Sequence, residues 1–322
     1  MIGVLLIGAG RIARSHAIAI AAHPDAMMVG VVDQDLLAAK RFAAEFDIPV
    51  ATVDLGQALD SDRVHAVVVA APTHLHHNIA LTAIGKGKHT LVEKPFAVNV
   101  AEAREMVAAA AKAEVCLMSG QVLRFMPTFA WARDFVAAGN LGKPLHVIER
   151  RLVYRTENFP WWQNLPNFLI SHWGSHSIDI VLDMLSEEAI RVYCDASSVG
   201  ENRNVVDDFD LYMRLRSGAR ASFHMSFASR RTIHDLVVIG EDSTLEFDGY
   251  RSIYCNDSEI FTGGEADMLS QAFEAQMQNF IGAIRGDCDL RSSGTSVLPT
   301  YAVVDAAEDS LARMSVVNVR RY

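Results

Sequence analysis

The sequence lacks the features that mark several large classes of protein. Its four cysteines lie far apart and form no CxxC pair, which argues against a disulfide framework or a structural zinc site and favours a reducing compartment. No stretch approaches the roughly 20 apolar residues that a membrane span needs. The apolar start, MIGVLLIGAG, has no basic segment before it and does not resemble a signal peptide. We therefore expect a cytoplasmic protein with no membrane partner.

An excess of basic residues is also missing. The 322 residues include 29 Lys and Arg against 39 Asp and Glu, a formal net charge of -10. Because binding to a nucleic-acid backbone needs a basic face, nucleic acid is not an expected partner. A small-molecule substrate, even an anionic one, is still compatible with this balance, since it responds to local charge. The length predicts two domains.

Residues 1–120 alternate short apolar runs with amphipathic segments. We predict strands at 3–7, 27–32, 66–70, 90–92 and 116–119, and helices at 11–22, 36–46, 74–84 and 100–112. Continuous β-branched runs that alternate with helices are typical of a parallel sheet with both faces covered. The predicted fold class of this part is therefore α/β, a doubly wound parallel sheet.

The pattern changes near residue 120 without a flexible linker. For residues 121–322 we predict strands at 144–154, 210–216, 219–227, 235–239 and 244–247, and helices at 127–138, 175–185, 268–285 and 296–314. Short turn signals separate several of the strands. We expect an α+β domain built on an open mixed or antiparallel sheet.

The segment GAGRIA, residues 8–13, follows a predicted strand and opens a predicted helix. Gly8 permits a tight turn, and Gly10 lets the chain approach a pyrophosphate. The helix that begins at Arg11 and Ile12 offers free N–H groups and a partial positive charge to the phosphates. The segment predicts a dinucleotide site if an acidic residue ends the next strand.

Asp33, in GVVDQD, is that acidic residue. A carboxylate there hydrogen-bonds the adenosine ribose hydroxyls and repels a 2′-phosphate, so NAD is favoured over NADP as the cofactor. The alternative is that Asp33 caps the following helix, for which Asp35 is better placed.

The strand predicted at 66–70 ends in APTHLHH, residues 71–77. Three histidines in four residues suggest a metal site, but no carboxylate or cysteine lies nearby at ligand spacing. The favoured interpretation is a turn that packs against the cofactor through Ala71, Pro72, Thr73 and His76. No metal is expected.

The next predicted strand ends in Glu93-Lys94-Pro95. Proline fixes the local backbone, and a lysine held at the mouth of a parallel sheet can polarise a substrate hydroxyl as its proton leaves. Glu93 and Lys94 are then also candidates for contact with the cofactor. The alternative is a solvated lysine that forms an ion pair with Glu93.

His172, His176 and Asp179 recur at the spacing of one helix face. An imidazole is the natural proton acceptor at neutral pH, and a nearby carboxylate would orient it. A metal site built from these side chains is the less favoured interpretation. Trp162, in an aromatic loop just before them, either packs inside the protein or lines the substrate pocket.

Four motifs together indicate a known family: GAGRIARSH, GVVDQD, AAPTHLHHNIALTAIGKGKHTLVEKPFAV and SHSID. In their order and spacing the chain resembles the glucose–fructose oxidoreductase, inositol dehydrogenase and MocA family over essentially its whole length. The EKP segment is the most specific mark. The resemblance implies a Rossmann domain that binds NAD(H), followed by a domain often used for oligomerisation.

The same resemblance implies reversible hydride transfer between a carbinol carbon and nicotinamide. It implies that Lys94 is the catalytic lysine, His176 the proton-transferring histidine and Asp179 the usual aspartate of that helix. We therefore expect residues 1–120 to bind NAD and residues 121–322 to bind a sugar, a cyclitol or a related hydroxy compound. A homodimer or homotetramer formed through the C-terminal sheet is expected.

One residue departs from the family pattern. The family often has an aspartate four residues before the catalytic histidine, where this chain has His172. A histidine there resembles the 4-carboxy-2-hydroxymuconate-6-semialdehyde dehydrogenase branch, which oxidises a cyclic hemiacetal but prefers NADP. Arg124 and Arg155 are then candidates to bind substrate carboxylates in a bidentate manner. A third hypothesis is a non-catalytic NAD sensor, which the presence of Lys94 and His176 disfavours.

Overall fold

The computed structural model describes residues 1–155, 167–199, 205–263 and 267–320. The chain divides into two compact units. The first unit comprises Met1–Phe125 with Leu269–Leu298, and the second comprises Met126–Met268 with Pro299–Tyr322. Within the described ranges, no helix combines the length and the apolar character that a membrane crossing requires.

The first unit alternates strands and helices. Its described strands are β1 (Ile2–Ile7), β2 (Ala26–Val32), β3 (Ala51–Thr52), β4 (Ala66–Val69), β5 (His89–Glu93) and β6 (Leu117–Gly120). The helices between them are α1 (Arg11–Ala22), α2 (Leu36–Glu45), α3 (Leu55–Leu59), α4 (Thr73–Gly85) and α5 (Val100–Ala113). All neighbouring strands pair in parallel, in the order β3-β2-β1-β4-β5-β6. The predicted doubly wound α/β fold is confirmed.

The central strand β4 has an apolar sequence because it is buried. All four residues of β4 are fully buried, as expected for a strand with helices on both faces. The strand order reverses between β1 and β4, and ligands of such sheets bind beyond the carboxyl ends of the strands at this switch point. The segments after β1, β2, β4 and β5 are therefore the ones that can form a site.

The structure divides the chain differently from the predicted boundary at residue 120. The first unit continues to Phe125, and it includes most of helix α8 (Met268–Arg285) and the residues up to Leu298. This returning segment is joined to β6 by two main-chain hydrogen bonds. Ser119 N donates to Ser292 O, and Gly294 N donates to Leu117 O, each at 2.8 Å.

The second unit is built on one large sheet. Its described strands are β7 (Pro144–Tyr154), β8 (Ala189–Ser197), β9 (Asp208–Leu215), β10 (Arg220–Ser226), β11 (Ala228–Gly240), β12 (Thr244–Asp248), β13 (Ser252–Cys255), β14 (Ser258–Thr262) and β15 (Val317–Asn318). They lie in the order β14-β13-β12-β11-β7-β10-β9-β8-β15. β7 and β10 are parallel and the other described pairs are antiparallel. The predicted mixed sheet is confirmed.

Helices cover one face of this sheet. They are α6 (Pro127–Ala137), α7 (Ser175–Leu185), which a π-helical stretch (Leu169–Gly174) precedes, and α9 (Leu298–Arg313). Phe129 of α6 stacks on Phe247 of β12 at 5.6 Å. Ser310 of α9 accepts a hydrogen bond from the main chain of Cys194, whose thiol pKa burial raises to about 12. On the opposite face, alternate residues of β8, β9 and β10 remain partly exposed.

Candidate active site

The turn after β1 has the backbone that a dinucleotide-binding turn requires. Gly8 has a φ of +106°, and a Cβ there would lie 2.5 Å from Ala70 O, so only glycine fits. At Gly10 an added Cβ would meet no atom of the described residues within 4 Å. Helix α1 begins at Arg11 without a side-chain cap, so the N–H groups of its first turn are available to an anion.

Asp33 lies directly after β2, and hydrogen bonds hold its carboxylate in place. Its Oδ2 accepts from Ala9 N at 2.8 Å, and its Oδ1 accepts from Asp35 N at 2.9 Å. Asp35 itself caps α2 by accepting from Leu37 N at 2.8 Å. Asp33 is therefore not the helix cap. It joins the end of β2 to the glycine turn, the position from which a carboxylate can reach the adenosine ribose.

His76 joins the turn after β4 to the turn after β5. Its imidazole is buried, with Nδ1 2.8 Å from Pro95 O and Nε2 2.8 Å from Ala71 O. Burial lowers the pKa of His76, against the two carbonyl contacts, which raise it. Because both ring nitrogens face main-chain carbonyls, His76 has a structural role, and its contact with the cofactor stays a prediction. Pro72 is exposed and Thr73 is half-buried at the start of α4.

The other two histidines of that segment have different surroundings. His74 is exposed, and Nε2 of His77 lies 2.9 Å from Oε2 of Glu105. In the part of the chain that the structure describes, no three His, Cys, Asp or Glu side chains are grouped so that they could hold a metal ion.

At the end of β5, the carboxylate of Glu93 is bonded to other groups of the first unit, and the side chain of Lys94 is half-buried. Glu93 is buried, with Oε1 2.7 Å from Nε2 of His16, and its Oε2 accepts from Lys94 N at 3.0 Å. The Lys94–Pro95 peptide bond is cis. Glu93 is thus not the exposed ion-pair partner that the alternative interpretation requires. Its predicted contact with the cofactor is also unsupported, because its carboxylate is used inside the protein.

Two predicted substrate contacts, Arg124 and Trp162, gain no support. Arg124 is buried, and its Nη1 donates to Ser296 Oγ at 2.9 Å and to Arg291 O at 3.2 Å. Its Nη2 donates to Ser296 O at 3.1 Å. These bonds tie the short helical turn after β6 (Val122–Phe125) to the returning segment of the first unit, so the guanidinium has a structural role. Trp162 lies outside the described residues.

The predicted histidines lie at the start of α7. His176 is half-buried in its first turn, whereas His172 is buried in the preceding π-helical stretch, with its ring 4.4 Å from that of Phe168. Asp179 is buried, and its Oδ1 accepts from Thr300 Oγ1 of α9 at 2.9 Å. Asp179 therefore ties α7 to α9, and its role as the usual aspartate of the family's helix stays a prediction.

Sequence reasoning missed a charged cluster beside α7. Glu149 of β7 is buried and accepts a hydrogen bond from Ser177 Oγ at 2.9 Å. The guanidinium of Arg151 lies 4.4 Å from the centre of the Trp173 ring, and that of Arg155, a predicted substrate contact, lies 4.7 Å from the same ring. The sequence signal was that Glu149 and Arg151, two residues apart in β7, lie on the inward side of the strand. Charged residues there are unusual unless they serve a site or form a buried pair.

The chain matches the models of one protein family in both units. Residues 2–121 match the model described as an oxidoreductase family with an NAD-binding Rossmann fold. Residues 129–246 match the GFO/IDH/MocA C-terminal domain. The first of these matches covers the glycine turn, Asp33 and Lys94, and the second covers His172 and His176.

Several enzymes are similar to the chain. It is 28% identical to 1,5-anhydro-D-fructose reductase of Ensifer adhaerens over 74% of each chain. It is 22% identical to 4-carboxy-2-hydroxymuconate-6-semialdehyde dehydrogenase of a Sphingobium species, over 96% of this chain and 99% of that one, and 25% identical to inositol 2-dehydrogenase of Rhizobium meliloti over 98% of each. An oxidoreductase from Agrobacterium radiobacter, crystallised with NAD+, L-tartaric acid and magnesium, has the same fold, with a TM-score of 0.90 at 19% identity over 99% of this chain and 98% of that one. The chain belongs to the GFO/IDH/MocA family of oxidoreductases, and its N-terminal domain is the NAD-binding Rossmann domain of that family.

Proposed function

We propose that the protein transfers hydride between a hydroxyl-bearing carbon of a sugar, a cyclitol or a related hydroxy compound and the nicotinamide of NAD(H). The observation that carries this proposal is the position of Lys94 directly after β5, in the sheet whose β1 and β2 lead into the glycine turn and Asp33. Ligands of such sheets bind beyond these strand ends. The relatives that act on inositol and on 1,5-anhydro-D-fructose support this substrate class.

The first unit fits NAD. Gly8 and Gly10 leave space at the turn where the pyrophosphate would lie, and the first turn of α1 offers its N–H groups. Asp33, anchored by Ala9 N, would accept hydrogen bonds from the adenosine ribose. When bound, NAD supplies the acceptor for the hydride.

Lys94 and His176 would handle the substrate proton. His176 accepts the proton of the hydroxyl group as a general base. Lys94 donates a hydrogen bond to the same oxygen and stabilises the negative charge that develops there as the proton leaves. Both side chains are half-buried, and partial removal from water strengthens such electrostatic interactions.

A second candidate substrate is a carboxylated hydroxy compound or a carboxylated cyclic hemiacetal. Arg151 and Arg155 bring two guanidinium groups to 4.4 and 4.7 Å from the ring of Trp173, which directly follows His172. Guanidinium groups recognise carboxylates by bidentate pairing. The Sphingobium relative is a dehydrogenase of a carboxylated semialdehyde, which supports the same class.

Turnover measurements with purified protein test the proposed function. We expect NADH to form from NAD with at least one member of a panel of myo-inositol, neutral aldoses, uronic acids and 4-carboxy-2-hydroxymuconate semialdehyde, or NADH to be consumed with 1,5-anhydro-D-fructose. Higher kcat/KM for neutral members supports the first candidate, and higher kcat/KM for carboxylated members supports the second. Tight NAD binding without turnover of any member would contradict both and favour a sensor.

We further propose that the exposed face of the second-unit sheet forms a homo-oligomer interface. Strand register aligns three rows of side chains on this face. The middle row is mostly apolar and contains Tyr193, Tyr212, Ser222, Ile148 and Val237. One flanking row is basic and contains Arg191, Arg214, Arg220 and His146. The other is mainly acidic and contains Asp195, Asp210, His224, Arg150 and Asp235.

At β8 and β9 these rows are complementary to themselves, with Arg191 and Arg214 in the basic row and Asp195 and Asp210 in the acidic row. A two-fold axis along the middle row would place the basic row of one copy against the acidic row of the other, in an isologous contact. Tyr212 in the middle row is 53% exposed in the single chain, which is costly to leave uncovered beside other apolar side chains.

Substitution of Tyr212 tests the oligomer interface. We expect sedimentation velocity to show a dimer or tetramer for the native chain and a monomer for Tyr212→Asp, because the substitution buries an unpaired charge in the interface. Leu37→Asp is the matched control, since Leu37 is an exposed apolar residue of α2 in the first unit. A native monomer, or equal masses for Tyr212→Asp and the native chain, would refute the interface.

A further inference from the structure

Buried side chains hold the main chain on both sides of Lys94. Before it, Oε2 of Glu93 accepts a hydrogen bond from Lys94 N at 3.0 Å. After it, Pro95 O lies 2.8 Å from Nδ1 of His76. The segment that carries the proposed catalytic lysine is therefore fixed by the interior of the first unit.

The contact of Glu93 continues to a second buried residue, His16 of α1. Nε2 of His16 lies 2.7 Å from Oε1 of Glu93, and both side chains are almost completely buried. The His16 ring meets the ring of Phe273 edge-on at 5.1 Å. Its Nδ1 finds no hydrogen-bond partner in the described part of the chain, so the one polar contact of His16 there is with Glu93.

The neighbouring strand makes room for this contact. Gly120 of β6 lies opposite Glu93 in the sheet. A Cβ at Gly120 would come within 2.9 Å of Glu93 Cα and 3.0 Å of its carboxyl carbon and Oε1. Any larger residue at position 120 would therefore displace Glu93, its main chain as well as its carboxylate.

We propose that His16 and Glu93 are a positioning pair that fixes the main chain at Lys94 and thereby aims the Lys94 side chain at the substrate oxygen. This inference rests on the proposed function of Lys94. Glu93 orients Lys94 through the N–H of that residue, and His16 orients Glu93. Neither side chain touches the substrate or the cofactor.

Loss of the His16 donor would release this arrangement. A buried carboxylate oxygen without a donor is costly, so Glu93 would turn toward another donor and leave Lys94 N. A reacting group displaced by about 1 Å can cost on the order of 100-fold in rate. The expected defect is therefore in kcat. The glycine turn and Asp33 should keep the affinity for NAD, because in the described residues neither the His16 ring nor the Glu93 carboxylate is hydrogen-bonded to them.

Two amide substitutions of His16 distinguish loss of the hydrogen bond to Glu93 from loss of the histidine ring itself. The amide nitrogen of His16→Gln can occupy the place of Nε2 and donate to Glu93, whereas that of His16→Asn falls near Nδ1 and does not reach Glu93. We expect His16→Asn to lower kcat about 10- to 100-fold with the NAD dissociation constant within about two-fold. His16→Gln should recover most of the lost turnover. Equal kcat for the two variants, or a loss confined to NAD affinity or thermal stability, would overturn the proposal.

A second variant and a second readout distinguish loss of positioning from misfolding and from failure of the proposed function. Gly120→Ala leaves both partners intact but displaces Glu93, so it should reproduce the defect of His16→Asn. In protein without cofactor, lysines labelled by reductive 13C-methylation report the surroundings of Lys94, whose NMR signal is the one missing from Lys94→Ala. We expect the chemical shift of that signal to change in His16→Asn and Gly120→Ala but not in His16→Gln. An unchanged chemical shift in His16→Asn would refute positioning. If Lys94→Ala itself keeps full turnover, the proposed function fails, whatever the pair does to the signal.

Discussion

Lys94→Ala is expected to lower kcat by about 1,000-fold and to leave the NAD dissociation constant within a few-fold of the native value. The lysine is proposed to stabilise charge on the substrate oxygen during proton loss, and removal of such a group typically costs 100- to 1,000-fold or more. The glycine turn and Asp33 lie after other strands, so NAD binding should persist. Steady-state kinetics and a fluorescence titration with NAD measure the two quantities.

Lys86→Ala is the matched control for this result. Lys86 follows α4 in the same unit and forms an ion pair with Asp60 at the surface, a type of contact that contributes little to stability. We expect native kcat and native thermal stability for this variant. Full turnover by Lys94→Ala, or a loss that appears only as weaker NAD binding, would show that Lys94 does not act on the substrate.

Asp33→Asn is expected to shift the ratio of kcat/KM for NADP over NAD by about 100-fold toward NADP. Two like charges about 4 Å apart near a protein surface repel by about 4 kcal/mol before screening, and about 1.4 kcal/mol corresponds to a factor of ten. The asparagine keeps the size of the side chain and an oxygen that can accept from Ala9 N, and only the exposed hydrogen bond from Asp35 N is lost. The turn should therefore survive while the repulsion of a 2′-phosphate is lost.

Asp35→Asn provides the comparison for Asp33. Asp35 is two residues away and caps α2 through Leu37 N, and asparagine is a comparably good cap. We expect this variant to keep both its stability and its preference for NAD. If it changes the cofactor ratio as much as Asp33→Asn does, the preference comes from the general charge of this loop and not from Asp33.

The features that were predictable from the sequence depend on local pattern. The helix predicted at 11–22 and the strand predicted at 144–154 match α1 and β7 residue for residue, because side-chain periodicity and flanking turn residues act within a few positions. The glycine turn was predictable for the same reason. By contrast, β3 has only two residues and α3 only five, too few for a periodic pattern to develop.

The features that were not predictable depend on partners distant in sequence. Arg124 has the chemistry of a carboxylate ligand, but Ser296, 172 positions away, takes its guanidinium. Asp179 stands three residues after His176, yet its buried carboxylate accepts a hydrogen bond from Thr300 of α9. His16 is part of the quoted motif GAGRIARSH, and its contact with Glu93 joins residues 77 positions apart. No local pattern specifies which side chains meet across such distances.

The most direct test of the account is a double-mutant cycle on kcat with Lys94→Ala, His176→Asn and the combined variant. We expect the combined variant to be about as slow as the slower single variant, because two groups that act on one proton transfer fail as a unit. Losses that multiply, as for independent residues, would contradict the claim that Lys94 and His176 serve the same substrate oxygen.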